Sequence, residues 1–428
     1  MHIFLKSFGC ATNLADSEVL AGCLAKAGHA IVQSVSAADL VLYNTCAVKG
    51  PTENRMIEAL KRVPKEKKLV VSGCLPLINF DRLQAEVRFD GIAGPAAGSQ
   101  IVSIVDRVGE GRKVVELQSS LDAKPSLSLP QWRRDPIISV VPVSYGCLGS
   151  CAYCCVVHAR GKLRSYPVSE IIDRFHEDLT KGAREFWVTA EDVGCYGQDI
   201  GTNLAELLRS LCDIEDDFKI RVGMMTPSSI VGFHEDLARA FEDERIFKFL
   251  HLPVQSGDDE VLRLMRRFYT TSDFVKLVEG FRAVIPNLTI STDVICGFPG
   301  ESEEAFGRTL RLLEKIKPDI VNVSKFFPRP RTAAADMHDG LVSPPAVRRR
   351  ASMVSSLAQR ISYEKNHDWI GSVADVLVDE AGKVPGTWIS RNSSYKPIVV
   401  KSRLKLLGET LRVRIVRAFP TYLEARRL

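Results

Sequence analysis

The stretch Ser144-Tyr145-Gly146-Cys147-Leu148-Gly149-Ser150-Cys151-Ala152-Tyr153-Cys154 places three thiols in eleven residues, spaced C-x3-C-x2-C. Glycines flank the first cysteine and an aromatic ring precedes the third. Three thiolates on one short loop can each take one iron of a cubane cluster. Full protein ligation of such a cluster takes four thiolates, so this spacing leaves one iron open to a small molecule. An open iron suits a ligand that binds through an amine and a carboxylate, which points to catalysis rather than electron storage. The other reading is a structural zinc knuckle. That reading needs a fourth ligand nearby, for which Cys155 and His158 are the candidates.

Working outward, the loop follows a strand expected at 137–143. Further strands are expected at 185–189, 220–224, 247–252, 288–295 and 320–326. Helical patterns lie between them, for example at 169–181, 204–211, 230–241 and 303–316. Six such units with right-handed crossovers make a central partial (β/α)6 barrel, with the cysteine loop on its functional face. Other strand ends carry polar or glycine-rich groups: Glu191 and Asp192, Thr226, Gln255 and Ser256, and residues 297–301 (GFPGE). Each alone reads as an N-cap or a turn. Together, opposite a cysteine loop, they favour a site.

Toward the N-terminus, strands are expected at 3–8, 39–43 and 68–71, with helices at 16–27 and 53–63. This alternation predicts an open parallel α/β domain. Cys10, Cys46 and Cys74 each stand just past the end of one of these strands. In an open parallel sheet those ends share one edge, where ligands gather. Three cysteines far apart in sequence are therefore expected to form one metal site, again with an open iron. Cys23, inside an Ala/Gly/Leu helix, is expected to be simply buried.

Toward the C-terminus the composition changes. Residues 365–428 hold twelve Lys/Arg against six Asp/Glu, whereas the first 364 residues are nearly balanced. Alternating strand-like runs at 373–378, 387–389, 398–400 and 411–417 fit a small, five-stranded, all-β, OB-like barrel. Arg412, Arg414 and Trp388 would give it charge and stacking surface for single-stranded RNA. The expected division is 1–112 for the N-terminal domain, 113–136 for a Pro/Ser-rich linker, 137–362 for the barrel core and 363–428 for the terminal domain. The 428 residues carry eleven cysteines, a net charge of +5, 45% hydrophobic and 25% charged side chains. That composition fits a globular chain whose thiols serve metal or redox chemistry rather than a disulfide frame. No run of about 18 apolar residues occurs, so no membrane partner is expected. The N-terminus is too short in apolar residues for a signal peptide, and a cytoplasmic location is expected.

At this point the motifs name a family. The Cys147/Cys151/Cys154 loop, the 297–301 loop and the Cys10/Cys46/Cys74 set together resemble the radical SAM methylthiotransferases, over nearly the whole chain. The resemblance implies an N-terminal auxiliary-cluster domain, a radical SAM core and a terminal TRAM domain. Residues 44–53 (NTCAVKGPTE), 158–161 (HARG), 190–202 (AEDVGCYGQDIGT) and 251–256 (HLPVQS) look like the archaeal and eukaryotic tRNA branch. That branch converts N6-threonylcarbamoyladenosine to its 2-methylthio form at position 37 of tRNA, beside the anticodon. The eukaryotic members usually add an N-terminal extension and a hydrophobic tail, so this chain is expected to be archaeal. Arg331 departs from the family, which commonly has Gly after the Phe327-Pro328-Arg329-Pro330 run. Cys155, directly after the third ligand, is also variable in related chains.

The resemblance further implies two [4Fe-4S] clusters and S-adenosyl-L-methionine. The cluster on Cys147, Cys151 and Cys154 would bind S-adenosylmethionine and cleave it to a 5′-deoxyadenosyl radical, which takes hydrogen from C2 of the adenine. The cluster on Cys10, Cys46 and Cys74 would hold the sulfur that is methylated and transferred. Tyr153, Glu191, Ser256, Gly297 and Gly300 are the expected S-adenosylmethionine contacts. The expected partners are the tRNA anticodon stem-loop and an unidentified electron donor. Three competing readings are methylthiolation of isopentenyladenosine in tRNA, methylthiolation of a ribosomal protein, and a non-catalytic RNA-binding protein with zinc.

Overall fold

The computed structural model describes residues 1–46, 50–117 and 123–428. Residues 47–49 of the 44–53 stretch and 118–122 of the linker lie outside the described residues. The N-terminal strands are β1 (His2–Ser7), β2 (Ala30–Val32), β3 (Leu40–Thr45), β4 (Lys68–Gly73), β5 (Gly91–Ala93) and β6 (Val114–Glu116). They form one sheet in the order β2-β1-β3-β4-β5-β6, with every pairing parallel. Strand β3 is buried along its whole length, as a central parallel strand covered on both faces must be. Strands β2, β5 and β6 are three residues each, too short to show a period in the sequence.

The first helix runs from Ala11 to Lys26, five residues earlier than expected. Nearly every residue from Thr12 to Leu24 is buried, polar ones included, so the helix carries little amphipathic pattern to mark its start. The reason lies across the molecule. Ala11, Leu14 and Ala15 pack on Ile138, Val140 and Trp187 of the second domain. Cys23 is buried within this helix, as expected.

The second domain begins with β7 (Ile138–Pro142) and a small hairpin of β8 (Ser144–Tyr145) and β9 (Arg164–Ser165). Then come β10 (Glu185–Thr189), β11 (Lys219–Val222), β12 (Phe249–His251), β13 (Thr289–Cys296) and β14 (Ile320–Lys325). They form two parallel three-stranded sheets, β7-β10-β11 and β12-β13-β14, joined by a parallel bridge from Ile220 to Ile246. This is the expected six-stranded partial barrel. The first helix of the N-terminal domain packs against β7 and β10.

A 24-residue helix, Pro344–His367, packs along β14 and leads to the last domain. There β15 (Val373–Ala381), β16 (Thr387–Arg391), β17 (Pro397–Lys401), β18 (Thr410–Ala418) and β19 (Leu423–Arg427) close into a barrel in the order β15-β16-β17-β19-β18. This small barrel caps the lower end of the large one. Tyr395 packs on Phe247 and Phe249 and donates its hydroxyl to Glu185 at 2.9 Å. Arg221 lies over the rings of Trp187, Phe249 and Tyr395. Asp319 is held by Lys365 at 2.8 Å and Lys396 at 2.7 Å. Burial opposes its charge, but the two ammonium groups prevail and lower its pKa. Trp388 lies partly inside the small barrel and gives its indole N–H to the Ser402 carbonyl. Its ring is therefore core more than stacking surface, while Arg412 and Arg414 point outward on β18.

Candidate active site

Cys10, Cys46 and Cys74 follow β1, β3 and β4, which are neighbours in the sheet. The register pairs Ser7 with Asn44 and Thr45 with Gly73, so the three strand ends stand side by side. Asn13 ties them together, donating to the carbonyls of Phe8 at 2.6 Å and Thr45 at 3.0 Å. Gly9 has φ +112, and a Cβ there would fall 2.5 Å from the Cβ of Cys46 and 2.8 Å from its sulfur. Only glycine lets Cys46 close against the turn that carries Cys10. Cys46 and Cys74 are buried and Cys10 is exposed, so the triad opens to solvent at Cys10. Burial pushes the Cys74 thiol up to about 12, the nearby Cys46 and Cys10 sulfurs add to this, and Arg160 opposes it.

The second triad sits on the loop after β8. Gly146, at φ +76, turns the chain so closely on itself that a Cβ would meet the Lys162 carbonyl at 2.0 Å. The Gly149 N–H donates to the Cys147 sulfur at 3.1 Å, and a Cβ on Gly149 would meet the sulfurs of Cys147 and Cys151 at 3.2 and 3.7 Å. Both sulfurs thus turn to one side. Arg267 donates to the Cys151 sulfur at 3.3 Å. Burial raises Cys147 to about 12 and Cys154 further still. The loop is pinned at its middle, where the Ala152 N–H donates to the Met265 carbonyl and the Ala152 carbonyl accepts from Ala334.

Among the described residues, no three His, Cys, Asp or Glu side chains converge to hold a single metal ion. A zinc knuckle needs that convergence. A cluster does not, because each thiolate takes a different iron. The donor chemistry also fits: each set offers three soft sulfur ligands, the type that holds iron in iron–sulfur clusters.

One side chain joins the two triads. Arg160 ends the short helix Val156–Arg160 that follows the cysteine loop, and it is 2% exposed. It crosses into the N-terminal domain, pairing with Asp16 at 2.7 Å and donating to the Asn13 amide oxygen at 2.8 Å. Its charge also favours the thiolate form of the nearby Cys74. Back in the barrel it faces Glu191 at 3.4 Å and the ring of Tyr145. Glu191 in turn accepts from the Gly146 N–H, and burial raises its pKa. The sequence contains Arg160 but gives no sign of this role, because its partners come from three separate segments.

The other expected contacts divide. Tyr153 is half-buried, edge-on against Phe298 with ring centroids 6.4 Å apart, and wedges the loop. Ser256 is fully buried and accepts from the Asp258 N–H at 3.3 Å. Gly297 backs onto Val347 and Gly300 onto Leu264, so their missing Cβ atoms make room for protein rather than for an open cradle. A cleft is lined by Cys147, Cys151, Asp192, Thr226, Arg267 and Phe268. Asp192 accepts there from the N–H groups of Gly194 and Thr226, each at 3.0 Å, and from Ser229 at 2.7 Å. Arg267 has no counterpart in the sequence reading.

Cys155 and Arg331 join the domains rather than the cleft. Cys155 packs with Cys74, Ile78 and Ala159, and its thiol hydrogen-bonds Arg329. Arg329 pairs with Glu53 at 2.5 Å, both groups buried. Arg331 has φ +61, the left-handed region that favours glycine. Its carbonyl accepts from His158 at 2.8 Å, and its guanidinium donates to the Leu77 carbonyl, three residues past Cys74.

Comparison with known proteins agrees with this architecture. Residues 2–94 match "Uncharacterized protein family UPF0004", residues 141–313 the "Radical SAM superfamily" and residues 369–428 the "TRAM domain". A protein of Pyrococcus horikoshii named "Probable threonylcarbamoyladenosine tRNA methylthiotransferase" is 40% identical, over 99% of this chain and 98% of its own. One of Methanothermobacter thermautotrophicus with the same name is 38% identical over 99% of both chains. The Homo sapiens threonylcarbamoyladenosine tRNA methylthiotransferase is 36% identical, over 96% of this chain and 72% of its own. Among solved structures, the radical S-adenosylmethionine methyltransferase TsrM of Kitasatospora setae shares the fold, with TM-score 0.56 and 14% identity over 78% of this chain and 76% of that one. Two cysteine triads at two strand edges, a partial barrel, a closed terminal barrel and full-length identity of this order lead to one conclusion: the chain belongs to the threonylcarbamoyladenosine tRNA methylthiotransferase family of radical SAM enzymes.

Proposed function

We propose that this chain places a methylthio group on C2 of N6-threonylcarbamoyladenosine in tRNA, on the 3′ side of the anticodon. The likeness to relatives of that name, across 98% of the Pyrococcus protein, carries the reading. Cys147, Cys151 and Cys154 would hold one [4Fe-4S] cluster, and Cys10, Cys46 and Cys74 a second. When bound, the clusters and S-adenosylmethionine supply the one-electron chemistry that an unactivated aromatic C–H bond requires.

The chain's own residues position and shield. Arg160 places one fixed positive charge between the two sulfur sets and fastens one domain to the other. Glu191 holds the turn at Gly146, and Tyr153 braces the loop from below. Arg267 steadies the Cys151 sulfur. In our reading Ser256, Gly297 and Gly300 serve the cofactor by shaping turns. The outward arginines of the terminal barrel would grip tRNA phosphates, making binding salt-dependent. A tRNA substrate supports action in the cytoplasm, where an unidentified reductant would supply electrons.

Anaerobically reconstituted protein tests this with tRNA carrying threonylcarbamoyladenosine, S-adenosylmethionine and a chemical reductant. The methylthiolated nucleoside is expected by mass spectrometry. Cys147→Ala should abolish S-adenosylmethionine cleavage, while Cys10→Ala should spare cleavage and lose the nucleoside. Loss of cleavage in folded Cys10→Ala protein would refute this division of labour.

A further inference from the structure

Three polar side chains stand on the inner face of the barrel, on adjacent strands, without any part in the cysteine sites. His251, Asp293 and Asn322 come from β12, β13 and β14. The register sets His251 beside Ser291, and Asp293 directly beside Asn322. Side chains two apart on a strand share a face. Phe249, two before His251, meets Arg221 and Tyr395 inside the barrel, so this face is the inner one. Val321 and Val323, which flank Asn322, pack outward into the hydrophobic core.

The three are linked. The His251 Nε2 is 3.2 Å from both oxygens of Asp293, and the Asn322 Nδ2 donates to Asp293 at 2.7 Å. They are also open to solvent. The side chains of His251 and Asp293 are 18% and 27% exposed, and Asn322 is exposed. Barrel interiors are normally filled by layers of apolar side chains. A polar trio partly open to solvent on that face can instead contact a guest. It also lies at the right level. The His251 carbonyl accepts from Met225, and the Met224 carbonyl accepts from Val193, which sets His251 level with the segment of Glu191 and Asp192 beside the cysteine loop.

We infer that His251 and Asn322, both oriented by Asp293, form the seat that reads the edge of the target nucleobase. The proposal rests on the function proposed above and names the part of the site that takes the RNA. An ionised carboxylate only accepts, so both partners must turn an N–H toward Asp293. That turns the Nδ1 edge of the imidazole away from Asp293, and leaves the amide with its oxygen and second N–H free to meet a base. An amide so fixed offers one donor and one acceptor side by side, the pairing an adenine edge takes from asparagine. Asp293 is then a positioning residue, and His251 and Asn322 are the contacts.

The test uses reconstituted holoenzyme and two anticodon stem-loops, identical except that one carries threonylcarbamoyladenosine and the other an abasic site at the target position. Wild type should bind the base-bearing loop more tightly. Asn322→Ala and His251→Gln should each shrink that preference about tenfold, the worth of one or two lost hydrogen bonds. Asp293→Asn should do the same by releasing both contacts. Arg412→Ala is the control and should weaken both loops alike. Variants that keep the full preference, or that lose affinity for both loops equally, would overturn the proposal. Turnover of the base-bearing loop is followed in parallel with wild type. Its absence would sink the proposed reaction, whereas the binding preference tests the seat separately.

Discussion

At the scale of single residues, chemistry that is local in sequence is legible and chemistry that is assembled is not. The Cys147/Cys151/Cys154 spacing is written in eleven residues and needs no fold to be seen. Cys10, Cys46 and Cys74 needed one further idea, that parallel strand ends share an edge. Arg160 and Arg267 needed the fold itself, because their partners lie in distant segments. Arg160 gives the sharpest test. Replacing it with alanine leaves Asp16 and Glu191 buried without their cation. Removing one partner of a buried pair costs about 3–5 kcal/mol, so the urea midpoint of Arg160→Ala should fall accordingly. A loss under about 1 kcal/mol would mean that the pair is not load-sharing between the domains. Arg331 is a milder case. Its left-handed backbone costs about 1–2 kcal/mol, and its guanidinium returns part of that through the Leu77 carbonyl. Arg331→Gly should therefore leave thermal stability within about 1 kcal/mol of wild type. Arg331→Val, which keeps the strain and loses the hydrogen bond, should be clearly less stable. Equal melting temperatures for the two variants would contradict this account of the family's glycine.

Among elements, the long periodic ones were legible and the short ones were not. The barrel strands and the helix Glu303–Ile316 follow the expected ranges, because each buries one face against the core. Strands β2, β5 and β6 are three residues each and are defined by their neighbours rather than by their own pattern. β19 escaped for a similar reason, as Leu423–Arg427 ends in charges. The contact between β10 and the terminal barrel carries a pH dependence. Glu185 begins β10 and is buried, accepting from Trp187 at 2.6 Å and Tyr395 at 2.9 Å. Burial pushes its pKa up toward neutrality, with the Asp379 carboxylate adding to the shift and Arg391 opposing it. In the unfolded chain Glu185 ionises in the ordinary carboxylate range. Between that range and its raised value the folded chain keeps a proton that the unfolded chain has released. Stability from this group is thus complete at low pH and declines as pH rises through the interval. Glu185→Gln keeps the acceptor oxygen and removes the charge. It should flatten the fall in melting temperature from pH 5 to pH 7, and be more stable than wild type at pH 8 by on the order of 1 kcal/mol. An unchanged slope would show that the carboxyl is not titrating at this joint.

For the whole molecule, the order of three domains was legible and their embrace was not. No sequence pattern says that the first helix of one domain packs on β7 and β10 of the next domain's barrel. Yet this is what brings Cys74 within reach of an arginine that follows the other cysteine loop. The same embrace buries Glu53 and Arg329 as a pair across the joint. The terminal barrel then closes the lower end, which leaves the upper, cysteine-bearing end for a substrate. Both triads, on this reading, serve one modification of one tRNA base. The most direct measurement is nucleoside mass spectrometry of tRNA from a strain lacking this gene, complemented with wild type, Cys10→Ala or Cys147→Ala. The expected outcome is 2-methylthio-N6-threonylcarbamoyladenosine only with wild type, and accumulated N6-threonylcarbamoyladenosine in the other strains. The methylthiolated nucleoside persisting in the deletion strain, or in either cysteine variant, would contradict it.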